Sequence, residues 1–245
     1  EAGIICSALR MFHSAFSEYY GSLIDSHMYS PMKEVYKMSS LELARAAIAA
    51  RDDYGLPVVG FDLAGEEAGY PAEDHIEAFR LAKKNFLKKT VHAGEAYGPE
   101  SIFQAVTDLY ADRIGHGTYL LEPEAIQDPS ISDKQCYVDH LGEYVADRRI
   151  TLEVCLSSNL QTNPSMDSLS EHSFKKFREN RISATLCTDN RLVSNTTVSK
   201  EIMLAINALG LDRKGLKSTV VYGFKRSFFP GTYQYILDRK IDLEW

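Results

Sequence analysis

The chain has 245 residues, 44% hydrophobic and 25% charged, with a formal net charge of -7 at pH 7. This is ordinary globular composition, long enough for one large α/β domain or two small ones. No run of about 18 apolar residues and no charged-then-apolar leader occurs, so neither a membrane nor secretion is expected, and without a basic groove interleaved with aromatics no nucleic-acid partner is expected.

Cys6, Cys136, Cys155 and Cys187 stand far apart with no Cys-x-x-Cys pair, which fits reduced thiols in a cytoplasmic enzyme. The chain opens on Glu1 and enters the apolar run Gly3-Ile4-Ile5-Cys6 at once. We therefore expect the sequence to begin inside a domain, with further residues upstream.

In chain order, the first apolar run, 3–9, reads as a strand. Segment 11–38, rich in Tyr, Phe, Met and Ser, reads as a long excursion on the face where parallel barrels keep their active sites. Its His13 and His27 could line a pocket, with solvent exposure the simpler expectation. Apolar residues at three- and four-residue spacing predict a helix over 40–51, capped by Ser39 or Ser40 and stopped at Gly55.

Further strands are expected at 57–63, 89–93, 113–117, 151–156 and 183–188, each apolar without strict alternation, as strands buried on both faces should be. Helices are expected between them at 72–87, 100–111, 134–148 and 171–180, then at 198–209, with the chain staying helical to Trp245. Six strands with crossover helices and no internal linker predict a single domain, 1–245, of α/β class: a TIM (β/α)8 barrel with six of its eight strands. An open doubly wound sheet is the alternative, but its Gly-rich turn after the first strand is absent.

Polar residues recur where these strands end. Asp62 closes PVVGFDLAGEE, His92 closes TVHAGE, His116 closes RIGHG and Asp189 closes ATLCTDN. On successive parallel strands four such residues should converge on one small volume. Imidazole and carboxylate suit zinc, so His92 and Asp189 are candidate metal ligands. A catalytic zinc needs about three or four protein ligands plus a water, so the others are expected upstream of Glu1. Glu95, three residues past His92, is placed to reach a substrate atom beside the metal, and the small Ala93 and Gly94 permit close approach.

FDLAGEE, VHAGE, RIGHG and TDN, in this order over nearly the whole chain, resemble the adenosine deaminase family of the amidohydrolase superfamily. The resemblance implies a zinc-dependent (β/α)8 barrel of the metal-dependent hydrolase type that removes the 6-amino group of a small-molecule purine nucleoside. It implies that His92 and Asp189 bind Zn2+, that Glu95 gives a proton to purine N1 and that His116 orients the metal-bound water. Gly65 would offer its backbone N–H to purine N3, and Asp62 would buttress the site.

Two departures stand out. The family begins with a strand carrying His-x-His, the remaining zinc ligands, and no His-x-His occurs in these residues. Asn190 stands where animal members of the family commonly carry a second aspartate that contacts N7; its amide donates without needing to be protonated. TDN and the segment Leu156-Ser157-Ser158-Asn159 resemble bacterial members. The zinc cytidine and tRNA-adenosine deaminases carry paired cysteines near a His-x-Glu, and this chain has no such cysteine pair. A deaminase of adenine or of a modified adenosine, and a non-catalytic barrel serving as a binding module, are the rival expectations.

Overall fold

Six short apolar runs form parallel strands: β1 (Ile4–Leu9), β2 (Val58–Ala64), β3 (Lys88–Ala93), β4 (Arg113–His116), β5 (Thr151–Val154) and β6 (Ala184–Leu186). The computed structural model describes residues 2–163 and 166–229. Sheet order equals chain order, β1-β2-β3-β4-β5-β6. Consecutive parallel strands joined by helical crossovers are the repeat of a (β/α)8 barrel, and six of its eight strands are present among the described residues.

The helices are α1 (Glu18–Ser26), α2 (Met32–Asp52), α3 (Ile76–Lys84), α4 (Pro99–Thr107), α5 (Lys134–Asp147), α6 (Leu156–Thr162), α7 (Phe174–Glu179), α8 (Val198–Leu209) and α9 (Arg213–Arg226). Two compact units are distinguished: Glu1–His92 with Phe103–Asp112, and Ala93–Ile102 with Arg113–Trp245. In the first, β1 runs beside β2 with Ser7 opposite Asp62. Helix α2 packs on β1, β2 and α3, and the buried rings of Phe61 and Phe79 meet edge to face at 5.1 Å. Phe12, Val35 and Tyr36 form a smaller core roofed by Tyr20, Leu23 and Ile24.

In the second unit β5 lies between β4 and β6, with Leu152 paired to Ile114 and Ala184. Ile114, Leu152, Val154, Phe174, Phe177 and Ala205 are fully buried there. The α6 helix packs against α8, whose Glu201 is wholly buried and accepts hydrogen bonds from the Ser157 hydroxyl at 2.5 Å and the Thr196 hydroxyl at 2.6 Å. That carboxylate fixes the start of α6, because it also accepts the Ser157 N–H at 3.2 Å.

Several sequence expectations need correction. Helix α2 begins at Met32, not at residue 40, so Ser39 and Ser40 lie inside it and cap nothing. The Ser40 hydroxyl instead donates back to the Tyr36 carbonyl at 2.9 Å, the usual device of a serine within a helix. The expected excursion 11–38 is largely helical: α1, and the first two turns of α2, occupy much of it. The helix expected over 72–87 is a 3-10 turn at Ala72–His75 followed by α3. The strand expected over 151–156 ends at Val154, and Leu156 opens α6. Helix does not run on unbroken beyond β6, since 189–197 and 227–229 are non-helical; the part of that expectation beyond residue 229 lies outside the described residues.

Candidate active site

In the first unit, the register that sets Ser7 against Asp62 lets the Ser7 hydroxyl donate to Asp62 Oδ2 at 2.8 Å. The other oxygen, Oδ1, lies 3.1 Å from His92 Nδ1, and the Leu63 carbonyl lies 3.2 Å from the same nitrogen. Both neighbours are acceptors, so Nδ1 carries the hydrogen and Nε2 is the nitrogen with the lone pair. A carboxylate gripping one imidazole nitrogen so that the other can ligate is the arrangement found behind metal-bound histidines. Asp62 is buried and His92 half-buried.

Just past β1, Arg10 is fully buried. Its Nη1 donates to the Tyr70 carbonyl at 2.7 Å and its Nη2 to the His92 carbonyl at 2.8 Å, fixing the backbone at the end of β3. Burial pulls the guanidinium below its ordinary pKa, and the charges of Glu67 and Asp62 oppose that pull. Gly65, exposed after β2, holds φ 97, a left-handed backbone that suits glycine.

In the second unit, β3 ends at Ala93 and the turn that follows opens on Gly94. Gly94 has φ 70, and a Cβ there would stand 2.5 Å from Ile102 Cδ1, so the turn into Glu95 has no room for a larger residue. Glu95 Oε1 accepts from the Thr162 hydroxyl at 2.9 Å, and Oε2 lies 3.6 Å from His116 Nε2. His116 is buried at the end of β4, and its Nδ1 is 2.9 Å from Asn159 Nδ2. Behind them, His172 Nε2 is 3.2 Å from Asn159 Oδ1. Burial, followed by the proximity of His116, pushes the His172 pKa down to about 4.

Asp189 follows β6, and its Oδ2 accepts from the Ser158 hydroxyl at 2.7 Å. Asp189 and its neighbour Asn190 are exposed. Asn190 Oδ1 accepts from the backbone N–H groups of Leu192 and Val193 at 3.2 and 3.1 Å, folding the loop after β6. His116 and Asp189 have φ 62 and φ 53. Non-glycine residues in this region hold strain that the surroundings must enforce, and such residues gather at functional sites.

Ser158, Asn159 and Thr162, three polar residues of the seven-residue α6, thus grip Asp189, His116 and Glu95 respectively. None of them was expected as a site residue, nor were His172, Ser7 and Arg10. The signals were small: a polar run, Ser-Ser-Asn, directly after a strand, and an arginine closing an apolar one. His13 is exposed and caps a 3-10 turn by accepting the Ala15 N–H, and His27 Nδ1 meets the Leu23 carbonyl at 2.9 Å at the end of α1.

His92 and Asp189 offer zinc donors of the right chemistry, each with a polar partner on its far side. Among the described residues no group of three or more His, Cys, Asp or Glu side chains could hold a metal ion. No helix among those residues is long and apolar enough to cross a membrane, and all four cysteines are unpaired.

The adenosine deaminase family profile matches residues 13–243. Adenosine deaminase of Mycobacterium sp. (strain JLS) is 40% identical over 191 residues, 78% of this chain and 51% of that protein. Adenosine deaminase 1 of Streptomyces coelicolor is 41% identical over 191 residues, covering 78% of this chain and 46% of its own length. The chain spans about half the length of these curated relatives. Among solved structures, the Arabidopsis N6-mAMP deaminase superposes with a TM-score of 0.70 at 25% identity, over 98% of this chain and 58% of that one. An amidohydrolase of Burkholderia ambifaria with bound Zn superposes with a TM-score of 0.72 over 97% of this chain and 55% of that one; at 18% identity it shows the fold alone.

Proposed function

Because this chain belongs to the adenosine deaminase family, we propose that it carries out the hydrolytic deamination of adenosine to inosine, and of 2'-deoxyadenosine to 2'-deoxyinosine, with release of ammonia, in purine salvage. The observation that carries this reading is the 40% identity to a curated adenosine deaminase. The grips on Glu95, His116 and Asp189 support it, because they hold chemistry-bearing groups at strand ends, where barrel enzymes react.

The reaction adds one water across C6 of the purine and breaks the C6–N6 bond, and the amine departs as ammonia. Glu95 holds the proton delivered to N1, which makes C6 electrophilic. His116 orients the attacking water, Gly65 offers its N–H to N3, and the Asn190 amide donates to N7. Zn2+ would be held by His92 and Asp189 and by two histidines of a His-x-His strand belonging to the same single (β/α)8 barrel but outside these 245 residues. When bound, it supplies the Lewis acidity that makes water a nucleophile at neutral pH. Asp62 keeps His92 in the tautomer a ligand requires. Four unpaired cysteines support a cytoplasmic setting.

A modified adenosine is the second reading, favoured by the 25% identity to the Arabidopsis N6-mAMP deaminase. The test is turnover by the full-length protein of adenosine, adenine and N6-methyl-AMP, followed by absorbance and by release of ammonia, or of methylamine from N6-methyl-AMP. Highest kcat/KM on adenosine is expected. Turnover of N6-methyl-AMP with none of adenosine would replace the first reading by the second.

A further inference from the structure

The hydrogen bonds behind His116 have a direction, because backbone N–H groups, which can only donate, fix it. The Phe174 N–H donates to His172 Nδ1 at 3.0 Å. That nitrogen must accept, and with a pKa near 4 the buried ring is neutral at ordinary pH, so its hydrogen sits on Nε2. The Nε2–H donates to Asn159 Oδ1 at 3.2 Å. The Cys155 N–H points at the same oxygen from 3.4 Å, which identifies that side of the amide as the carbonyl a second time.

The NH2 of Asn159 therefore faces His116 Nδ1 at 2.9 Å. An amide nitrogen has only hydrogens to offer, so Nδ1 accepts, and neutral His116 carries its hydrogen on Nε2, the nitrogen 3.6 Å from Glu95 Oε2. Asn159, His172 and His116 are exposed by only 1%, 2% and 3%, so bulk water has little access to these bonds. The opposite tautomer would set two donors against each other in a buried place.

We propose that Asn159 and His172 are positioning residues that lock neutral His116 as the Nε2–H tautomer, so that it presents a hydrogen-bond donor, and not a base, to the reacting water. A neutral ring in this state has no lone pair at Nε2 with which to take a proton. His116 orients and polarises an oxygen, and deprotonating water falls to another group. The catalytic half of this inference rests on the deaminase reading; the tautomer does not.

The test is 15N NMR of histidine-labelled full-length protein, combined with kinetics on adenosine. Both rings should be Nε2–H at neutral pH. Asn159→Asp keeps the shape but turns an oxygen toward His116 Nδ1, so the hydrogen should move to Nδ1 and kcat should fall about 10- to 100-fold with KM little changed. His172→Leu should loosen the lock in the same direction, whereas His172→Gln, whose amide N–H can again reach Asn159 Oδ1, should restore the tautomer and most of kcat. The His172 pair carries the test if Asn159→Asp does not fold. An Nδ1–H ring at His116 in the parent protein overturns the lock, as does a glutamine variant no better than leucine. Tautomer shifts with unchanged kcat overturn its catalytic role, and because the tautomer is read without turnover, failure of the deaminase reading remains distinguishable.

Discussion

The Thr162 hydroxyl lies 2.9 Å from Glu95 Oε1 and 3.1 Å from the carbonyl oxygen of Ser158. A hydroxyl has one hydrogen, so it serves one of these oxygens at a time. Turned to the Ser158 carbonyl, it can accept the proton of a protonated Glu95; turned to Glu95, it satisfies the carboxylate left after that proton has gone. Both states of the proton donor thus keep a partner. Thr162→Val should lower kcat about 10-fold or more with little change in KM or stability, because Thr162 is exposed. Thr162→Ser should stay close to the parent; equal kcat for the valine and serine variants would dismiss the hydroxyl's part.

Metal content separates the roles of two residues three positions apart. His92→Ala in the full-length protein should remove most bound zinc, whereas Glu95→Gln should keep the zinc and abolish turnover. Asp62→Asn should fall between, weakening zinc binding about 10- to 100-fold by loosening the grip on His92 Nδ1. Metal analysis of folded protein reads all three, and zinc loss in the Glu95 variant would contradict its assignment as proton donor.

Asn190 has two ends with different tasks: Oδ1 folds the loop by accepting the Leu192 and Val193 N–H groups, and the amide hydrogens are assigned to N7. Asn190→Asp preserves the loop, but its carboxyl must be protonated to donate, so its activity should decline more steeply than the parent's as pH rises. Asn190→Ala should be worse at every pH, having lost both tasks. Unchanged kcat/KM in the alanine variant would show that Asn190 does not read the purine.

His75 and His172 predict an acid-sensitive fold. Burial holds each near a pKa of about 4, against an ordinary 6.5. Between these values the unfolded chain takes up protons that the folded chain refuses, so stability is complete above about 6.5 and drains away as pH falls towards 4. The loss is about 3 kcal/mol for each histidine. Urea unfolding at pH 7 and pH 4.5 should show it, and His75→Gln, which cannot titrate, should shrink the difference. A variant with the same pH dependence as the parent would remove His75 from this account.

Sequence alone made the parallel strands legible because burial on both faces removes polar alternation, and α8 was legible to its ends because its apolar spacing is regular and Thr197 caps it. The start of α2 was hidden by Ser39-Ser40, which resembles a cap until Ser40 is seen bonding back to Tyr36. Helix α6 was hidden because seven residues, LSSNLQT, are too few to show a period. His92, Glu95, His116 and Asp189 could be named from strand ends, but their holders come from residues far away in the chain: Asp62 stands 30 positions from His92 and Thr162 stands 67 from Glu95. No local pattern records such pairs.

The candidate reactive groups of the second unit come from three strand ends, yet their settings come from one short helix, itself tied down by the buried Glu201. Any mutation that tilts α6 disturbs Asp189, His116 and Glu95 together. Losses from Ser158→Ala and Thr162→Val should therefore fall short of adding up in the double variant, since the first already disturbs what the second would remove. The polar face of α6 is therefore expected to tolerate substitution less readily than the exposed loop at Asn190, which holds only its own backbone.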